Sequence, residues 1–396
     1  MDRIFETSTR LVNQIETKHY RYLYDVIDWN DRLIMLKGAR GVGKTTIMCQ
    51  RCKLTNGKGL YASLDQLWFN EHTISELVDY HYKHGGTHLF LDEVHLYPRN
   101  NWEQEIKNIH DSYPDYRIVF TGSSLLQLNG KIADLSRRVV IYELPGLSFR
   151  EYLSFSDIAE FKPFKLDEIL NNHIKIAPQI ASAIRVNGEF ENYLAHGYYP
   201  FFLNTSAFSY SQRVERIVQS VIDIDIPAVA NIEYETQLKL KKLIVILAEQ
   251  VPFVPNISKL SKDLGVTRNQ LMKLFTLLSE SAILRTLNDP SSQPKSAAKP
   301  EKILFDNPSV MQALGVYNQK GTVRESFIAS MLSNVGNVFS AKEGDFLLDR
   351  KYLFEVGGKN KGFAQIANQP NSFVIADNLE IGIGNKIPLW LFGFLY

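Results

Sequence analysis

Five short apolar runs punctuate the first 145 residues: "DRLIMLKG" (31–38), "GLYASLD" (59–65), "THLFLDE" (87–93), "RIVFTGSS" (117–124) and "RVVIYEL" (138–144). Each is of strand length and continuously apolar rather than alternating, and a helix-length segment separates most of them. That pattern predicts βαβ units with a parallel sheet covered on both faces. The opening segment 1–30, with "HYRYLYDVIDW", is expected to lay a helix against this core, giving a first module over 1–145. From "PGLSFREYL" (145–153) the pattern becomes helical and aromatic, with "HGYYPFF" (196–202) as punctuation, and 146–232 reads as a helical lid.

Over 233–300 three helix-length segments follow: "LKLKKLIVILAEQ", "SKLSKDLG" and "TRNQLMKLFTLLSESAIL". Gly265 ends the second and Thr267 caps the third, which predicts a helix-turn-helix. "NDPSSQPKSAAKPEK" (288–302) then reads as a flexible loop or wing tip, making the module a winged helix. The last module, 301–396, alternates strand-like runs with Gly turns and closes on "IPLWLFGFLY" (387–396). That run is expected to be a buried closing strand, since it falls short of the roughly 20 apolar residues a bilayer span needs.

Composition narrows the picture only in places. The 396 residues are 45% hydrophobic and 22% charged, and 23 Phe with 19 Tyr exclude a disordered chain. Length alone asks for two or three domains. A net charge of +1 provides no global field toward nucleic acid or membrane, so any basic patch is regional. "MDRIFETSTRLVNQIE" lacks a basic region followed by an apolar one, and the expectation is a cytoplasmic protein with no membrane partner. Cys49 and Cys52, in "CQRC", have no second cysteine pair and read as part of a helix face rather than a zinc or redox site. His81, His84 and His88, in "HYKHGGTH", have no nearby fourth ligand, and Gly-Gly breaks any helix between them. They are read as a polar helix end rather than a metal site.

"GARGVGKT" fits G-x-x-x-x-G-K-[ST] at every position, with an apolar strand before it and a helical pattern after it. Gly38, Ala39, Arg40, Gly41, Val42 and Gly43 would turn their backbone amides onto a nucleotide's phosphates. Lys44 would supply a point charge between β and γ, Thr45 a hydroxyl for Mg²⁺, and Thr46 the next helical amide. In "LFLDE", Asp92 at a strand end suits the metal shell, and Glu93 is placed to orient and deprotonate the attacking water. "VFTGSS" repeats the strand-end geometry with Thr121, Ser123 and Ser124. Ser123 is the favoured reader of the γ-phosphate, although turn chemistry would look the same.

With Walker A, the acidic "LDE", "TGSS" on the next strand, "SRR…YELPGLSFREYL", "GYYP", a winged helix and "FEVGGKNK", the chain resembles AAA-type ATPases of an archaeal and bacteroidal group. Those proteins end in a nuclease-like domain, and the resemblance covers nearly the whole chain. It implies an α/β P-loop NTPase core with a parallel sheet, a helical lid, a winged helix-turn-helix and a C-terminal α+β PD-(D/E)xK-like domain. It also implies ATP and Mg as ligands, ATP hydrolysis, and leaves a homo-oligomer open. By the same analogy Arg138, or its neighbour Arg137, falls where the family keeps a sensor or finger arginine; a solvated or lid-pairing arginine is the alternative.

Residues 236–302 hold eleven Lys or Arg against five acids. If "TRNQLMK" is a recognition helix, Arg268, Asn269, Gln270 and Lys273 would face duplex DNA while Leu271, Leu274, Leu277 and Leu278 pack inward. Winged helices also serve as spacers and protein-docking surfaces. In the last module, Asp345 and Glu355 could hold Mg²⁺ in PD-(D/E)xK fashion, but Gly357 stands where the lysine should be and Lys359 lies two residues further on. A degenerate, binding-only fold is therefore expected over an active nuclease. The chain is expected to be an Mg²⁺-dependent ATPase that drives or gates domain rearrangement. A slow nucleotide switch and an ATP-regulated nuclease are the rivals, and a P-loop kinase is disfavoured.

Overall fold

The computed structural model describes residues 1–123, 125, 135–250, 256–291 and 299–396. Ser124 and residues 292–298 of the wing-tip segment 288–302 lie outside the described residues. The described chain forms two compact units, Met1–Pro145 with Ser220–Glu233, and Gly146–Gln219 with Tyr234–Tyr396. The sequence reading drew four modules instead. It also assigned 220–232 to a lid, whereas this stretch returns to the first unit.

In the first unit all five expected runs are strands: β1 (Leu33–Lys37), β2 (Gly59–Ser63), β3 (His88–Asp92), β4 (Arg117–Gly122) and β5 (Val140–Glu143). They pair in parallel in the order β2-β3-β4-β1-β5. Leu33, Met35, Leu36, Leu89, Phe90, Leu91 and Phe120 are fully buried, as strands covered on both faces require. The helices are α1 (Asp2–Gln14), α2 (Leu23–Val26), α3 (Lys44–Lys53), α4 (Ile74–Lys83) and α5 (Trp102–Ser112). Helix α1 packs on β2 and α3, and its Ser8 hydroxyl accepts from the Tyr61 amide at 2.9 Å, occupying a donor on an edge strand.

In the second unit, α6 (Phe149–Phe155), α7 (Leu166–Ala183) and α8 (Val186–His196) bury an aromatic cluster in which the Phe149 ring lies 5.2 Å from Phe190 and 5.7 Å from Phe394. Helix α9 (Ala207–Ser220) runs into a π-helical turn, Val221–Asp225, and then α10 (Ile226–Ala230), both of the first unit. Pro227 has no amide to donate, which breaks the i→i−4 ladder where the turn widens.

Helices α11 (Tyr234–Glu249), α12 (Ile257–Leu264) and α13 (Arg268–Glu280) precede an antiparallel pair, β6 (Leu284–Leu287) and β7 (Lys302–Phe305). Gly265 closes α12 at φ 63°, and Thr267 caps α13. Leu271, Leu274, Leu277 and Leu278 are buried, and Arg268, Asn269 and Lys273 are exposed. Gln270 is exposed but committed, because its side chain accepts from the Thr267 amide at 2.8 Å in a capping box, which competes with the groove-facing role expected of it.

Helices α14 (Pro308–Ala313) and α15 (Lys320–Leu332) lead to a sheet ordered β12-β11-β10-β9-β8. Its strands are β8 (Val338–Ser340), β9 (Phe346–Leu348), β10 (Tyr352–Gly357), β11 (Ser372–Ala376) and β12 (Lys386–Pro388). The expected closing strand is corrected: only its first residues extend, and Leu389–Phe394 form a buried 3-10 helix. A short, wholly apolar run carries no period to separate the two states. No helix of the described residues is long and apolar enough to cross a membrane.

Candidate active site

The parallel sheet places the ends of β1, β3 and β4 side by side, and the motif residues sit on those ends. The loop 38–43 leaves β1 and enters α3. Gly38 is required by close approach, since a Cβ there would run into the Leu144 carbonyl oxygen. Gly43 caps α3 at φ 101° and offers no side-chain bond, so the first amides of the helix are left for an anion. Buried Arg21 braces the loop from outside, donating to the Val42 carbonyl at 2.5 Å and the Pro145 carbonyl at 2.8 Å. The sequence reading made 1–30 a packing helix and missed this brace.

Lys44 is buried and its ammonium donates to the carbonyls of Gly38 at 2.8 Å and Ala39 at 2.9 Å. Burial lowers its pKa, against the opposing fields of Glu93, Asp92 and Asp225. Thr45 and Thr46 are exposed on the first turn of α3. The Thr45 hydroxyl donates to Asp92 at 2.6 Å.

Asp92, buried at the end of β3, collects further donors: the Tyr61 hydroxyl at 2.8 Å, the Thr121 hydroxyl, and the Glu93 amide at 3.1 Å. These four donors are all neutral, so they hold the carboxylate without cancelling its charge. Burial first, then the Asp92 charge, pushes the Tyr61 phenol well above its ordinary pKa and keeps it a donor. Tyr61 escaped the sequence reading because an apolar-run tyrosine looks like core; its one signal is a position on β2, the neighbour of β3.

Glu93 occupies the left-handed region at φ 53°, unusual for a side-chain-bearing residue. Burial raises its pKa, with Lys44 and His95 pulling the other way. Its carboxylate lies 3.4 Å from His95 Nδ1.

Among the hydroxyls of "TGSS", Thr121 joins Asp92, while the Ser123 hydroxyl accepts from the Leu125 amide at 3.3 Å. Ser123 thus makes the local turn its spacing also allowed. Its backbone amide reaches His95 Nδ1 at 3.4 Å. Arg138 is paired with Asp111 at the end of α5 through two bonds of 3.0 Å, and Arg137 is exposed. Both precede β5, at the amino ends of the strands, whereas the loop 38–43 follows the carboxyl end of β1, the parallel neighbour of β5.

The remaining candidates are held by packing. Burial pushes the Cys49 and Cys52 thiols up to about 12, where neither is nucleophilic near neutrality. His81 Nδ1 lies 2.6 Å from the Tyr116 hydroxyl, and burial lowers its pKa to about 4.

In the second unit Asp345 and Glu355 do come together, with two groups that sequence reasoning missed. Lys302 lies 3.2 Å from Asp345 and 2.8 Å from Glu325 of α15. Lys361, not Lys359, pairs with Glu355. The reason is steric: Gly357 has no side chain, and the stem of Lys361 lies where one would be. Each of the three acids is thus paired with an ammonium, while the second oxygen of Glu355, Oε2, is buried with no hydrogen-bond partner. Among the described residues no group of three His, Cys, Asp or Glu is arranged for a metal ion.

Residues 30–153 match an AAA domain family, AAA_14, and residues 187–320 match a domain of unknown function, DUF8612. The chain is 25% identical over 97% of its length to the uncharacterized protein MJ1637 of Methanocaldococcus jannaschii, covering 91% of that protein. Among solved structures it resembles a point variant of Thermotoga maritima RuvB at 15% identity and TM-score 0.30, over 72% of this chain and 89% of that one. It also resembles C. elegans PCH-2 at 14% identity and TM-score 0.29, over 51% and 58%. Overall likeness this low supports no inference of function. The AAA family match, the P-loop and the five-stranded parallel sheet agree on an AAA-type P-loop ATPase domain.

Proposed function

We propose that the protein is an Mg²⁺-dependent ATPase in which Glu93 is the general base. The observation that carries this is buried Asp92, holding the Thr45 hydroxyl at 2.6 Å with Glu93 as the next residue. Thr45 and Asp92 fit an Mg²⁺ ion, which when bound would neutralise charge on the β and γ oxygens. The amides of 38–46 cradle the phosphates, and Lys44 exchanges the Gly38 and Ala39 carbonyls for a phosphate oxygen. Glu93 then accepts the proton of the attacking water, and its raised pKa suits a base working near neutrality.

Arg138 serves a neighbouring subunit in this reading. The length of β5, four residues or about 13 Å at ~3.3 Å each, separates it from the level of its own phosphate loop. It must leave Asp111 to act. Hydrolysis per subunit should therefore rise with protein concentration, and Arg138→Ala should abolish that rise. The helices α11–α13 with β6 and β7 follow the order of a winged helix, and exposed Arg268, Asn269 and Lys273 are its proposed contacts to duplex DNA. Gly357 at the place of the expected lysine supports a binding domain rather than a nuclease.

Phosphate release from ATP and Mg²⁺, with and without duplex DNA, tests the assignment against Glu93→Gln. If wild type binds ATP yet releases no more phosphate than Glu93→Gln, the protein is a nucleotide switch instead.

A further inference from the structure

The nucleotide site contains an acid that none of its motifs supplies. Asp225 is the last residue of the π-helical turn Val221–Asp225, and its side chain is 6% exposed. Its carboxylate accepts from Arg40 of the phosphate loop at 2.7 Å. The same oxygen, Oδ1, lies 3.6 Å from His95 Nε2.

The His95 side chain is 1% exposed, and its Nε2 is buried with no hydrogen-bond partner within bonding distance. Its other nitrogen, Nδ1, faces the Glu93 carboxylate at 3.4 Å and the Ser123 amide at 3.4 Å. The imidazole is therefore wedged among three groups, two of them from the strand ends where phosphate chemistry would occur. Helix α10, which follows Asp225 directly, packs on the Val94–Leu96 turn that carries His95.

Resting on the ATPase reading, we infer that Asp225 and His95 are positioning residues for hydrolysis, linking Arg40 of the phosphate loop to the Glu93 carboxylate. A nucleotide phosphate entering the loop competes with Asp225 for Arg40, and an Asp225 released from Arg40 is free to close on His95 Nε2. Either change redirects the His95 ring and, with it, the carboxylate it faces. The turn at Asp225 also suits a moving part. It belongs to the first unit, yet the chain on each side of Ser220–Glu233 belongs to the second, so a shift there is transmitted along covalent connections. π-Turns recur at such working positions.

The test uses the full chain with Mg²⁺ and ATP, and reads nucleotide affinity and hydrolysis separately. Asp225→Asn keeps the side-chain shape and one acceptor oxygen; Asp225→Ala keeps neither. At saturating ATP, kcat should fall about tenfold in Asp225→Asn and further in Asp225→Ala, with KM and the ATP-dependent rise in Tm within about threefold and a degree or two of wild type. His95→Ala should cost as much as Asp225→Ala, and the double variant no more than either alone, because both act through one link. Losses that multiply in the double variant, or a KM that rises as kcat falls, would overturn the inference. Should Asp225→Ala fail to fold, the isosteric Asp225→Asn decides by the same measure. Wild-type turnover abolished by Glu93→Gln but untouched by Asp225→Asn removes the link alone. Wild type no faster than Glu93→Gln removes the ATPase reading and the link with it.

Discussion

Asp92 at the end of β3 and Glu355 on β10 are both buried strand acids close to a lysine, and they are satisfied in opposite ways. Asp92 is held by the hydroxyls of Thr45, Tyr61 and Thr121 and by one amide, while nearby Lys44 rests on backbone carbonyls. Glu355 is met directly by Lys361, and Asp345 and Glu325 share Lys302. Neutral donors fix a carboxylate in place and leave its charge for a cation, whereas an ammonium consumes that charge. Two sites with the same residue types thus differ in how their acids are paired. The inventory of acids and lysines does not reveal this difference; the partner of each acid does.

The largest effect that would break the comparison is on the first site. Glu93→Gln should lower kcat roughly 10²–10⁴-fold, as expected for a lost general base, with ATP affinity retained. A stopped assay at saturating ATP reads it directly.

The opposite signature belongs to the second site. Lys361→Ala would strand the 2% exposed Glu355 without its ammonium. Because the Lys361 side chain is itself 33% exposed, the cost should be about 1–3 kcal/mol, below the roughly 3–5 expected when a fully buried pair is broken. A lowered Tm with ATP turnover unchanged is the expected result. Mg²⁺ should not restore that Tm, and recovery by millimolar Mg²⁺ would show that the cluster can be a metal site after all.

Tyr61→Phe sharpens the first half of the comparison. Removing one donor from a buried carboxylate should cost about 1.5–3 kcal/mol of its positioning, read as a rise in the Mg²⁺ concentration needed for half-maximal turnover. The pH dependence is the mildest effect. Glu93 works as a base only when ionised, and burial raises its pKa, so kcat should fall as pH drops through a value above the ordinary carboxylate range. In Glu93→Asp or Glu93→Gln that acid limb should move or vanish.

Much of the first site's geometry was legible because its residues follow motif spacing. A Gly-rich turn between an apolar strand and a helix fixes Gly38 to Thr46, and a strand-end acid fixes Asp92 and Glu93. What escaped arrives from elsewhere in the chain. Asp225 comes from a helix beyond the first unit's sheet, and Arg21 from a segment before β1. Tyr61 and His95 are single residues whose types are as common in cores as in sites. In the second unit the expected Lys359 gave way to Lys361 because a glycine at 357 makes room for a side chain returning from the following turn. Linear spacing along a strand cannot anticipate such a return.

The most direct test of the central claim is phosphate release at saturating ATP and Mg²⁺ by wild type and Glu93→Gln, with bound ATP measured on the same samples. The account predicts equal binding and a loss of turnover in Glu93→Gln of at least about a hundredfold. Equal phosphate release from the two proteins would contradict it.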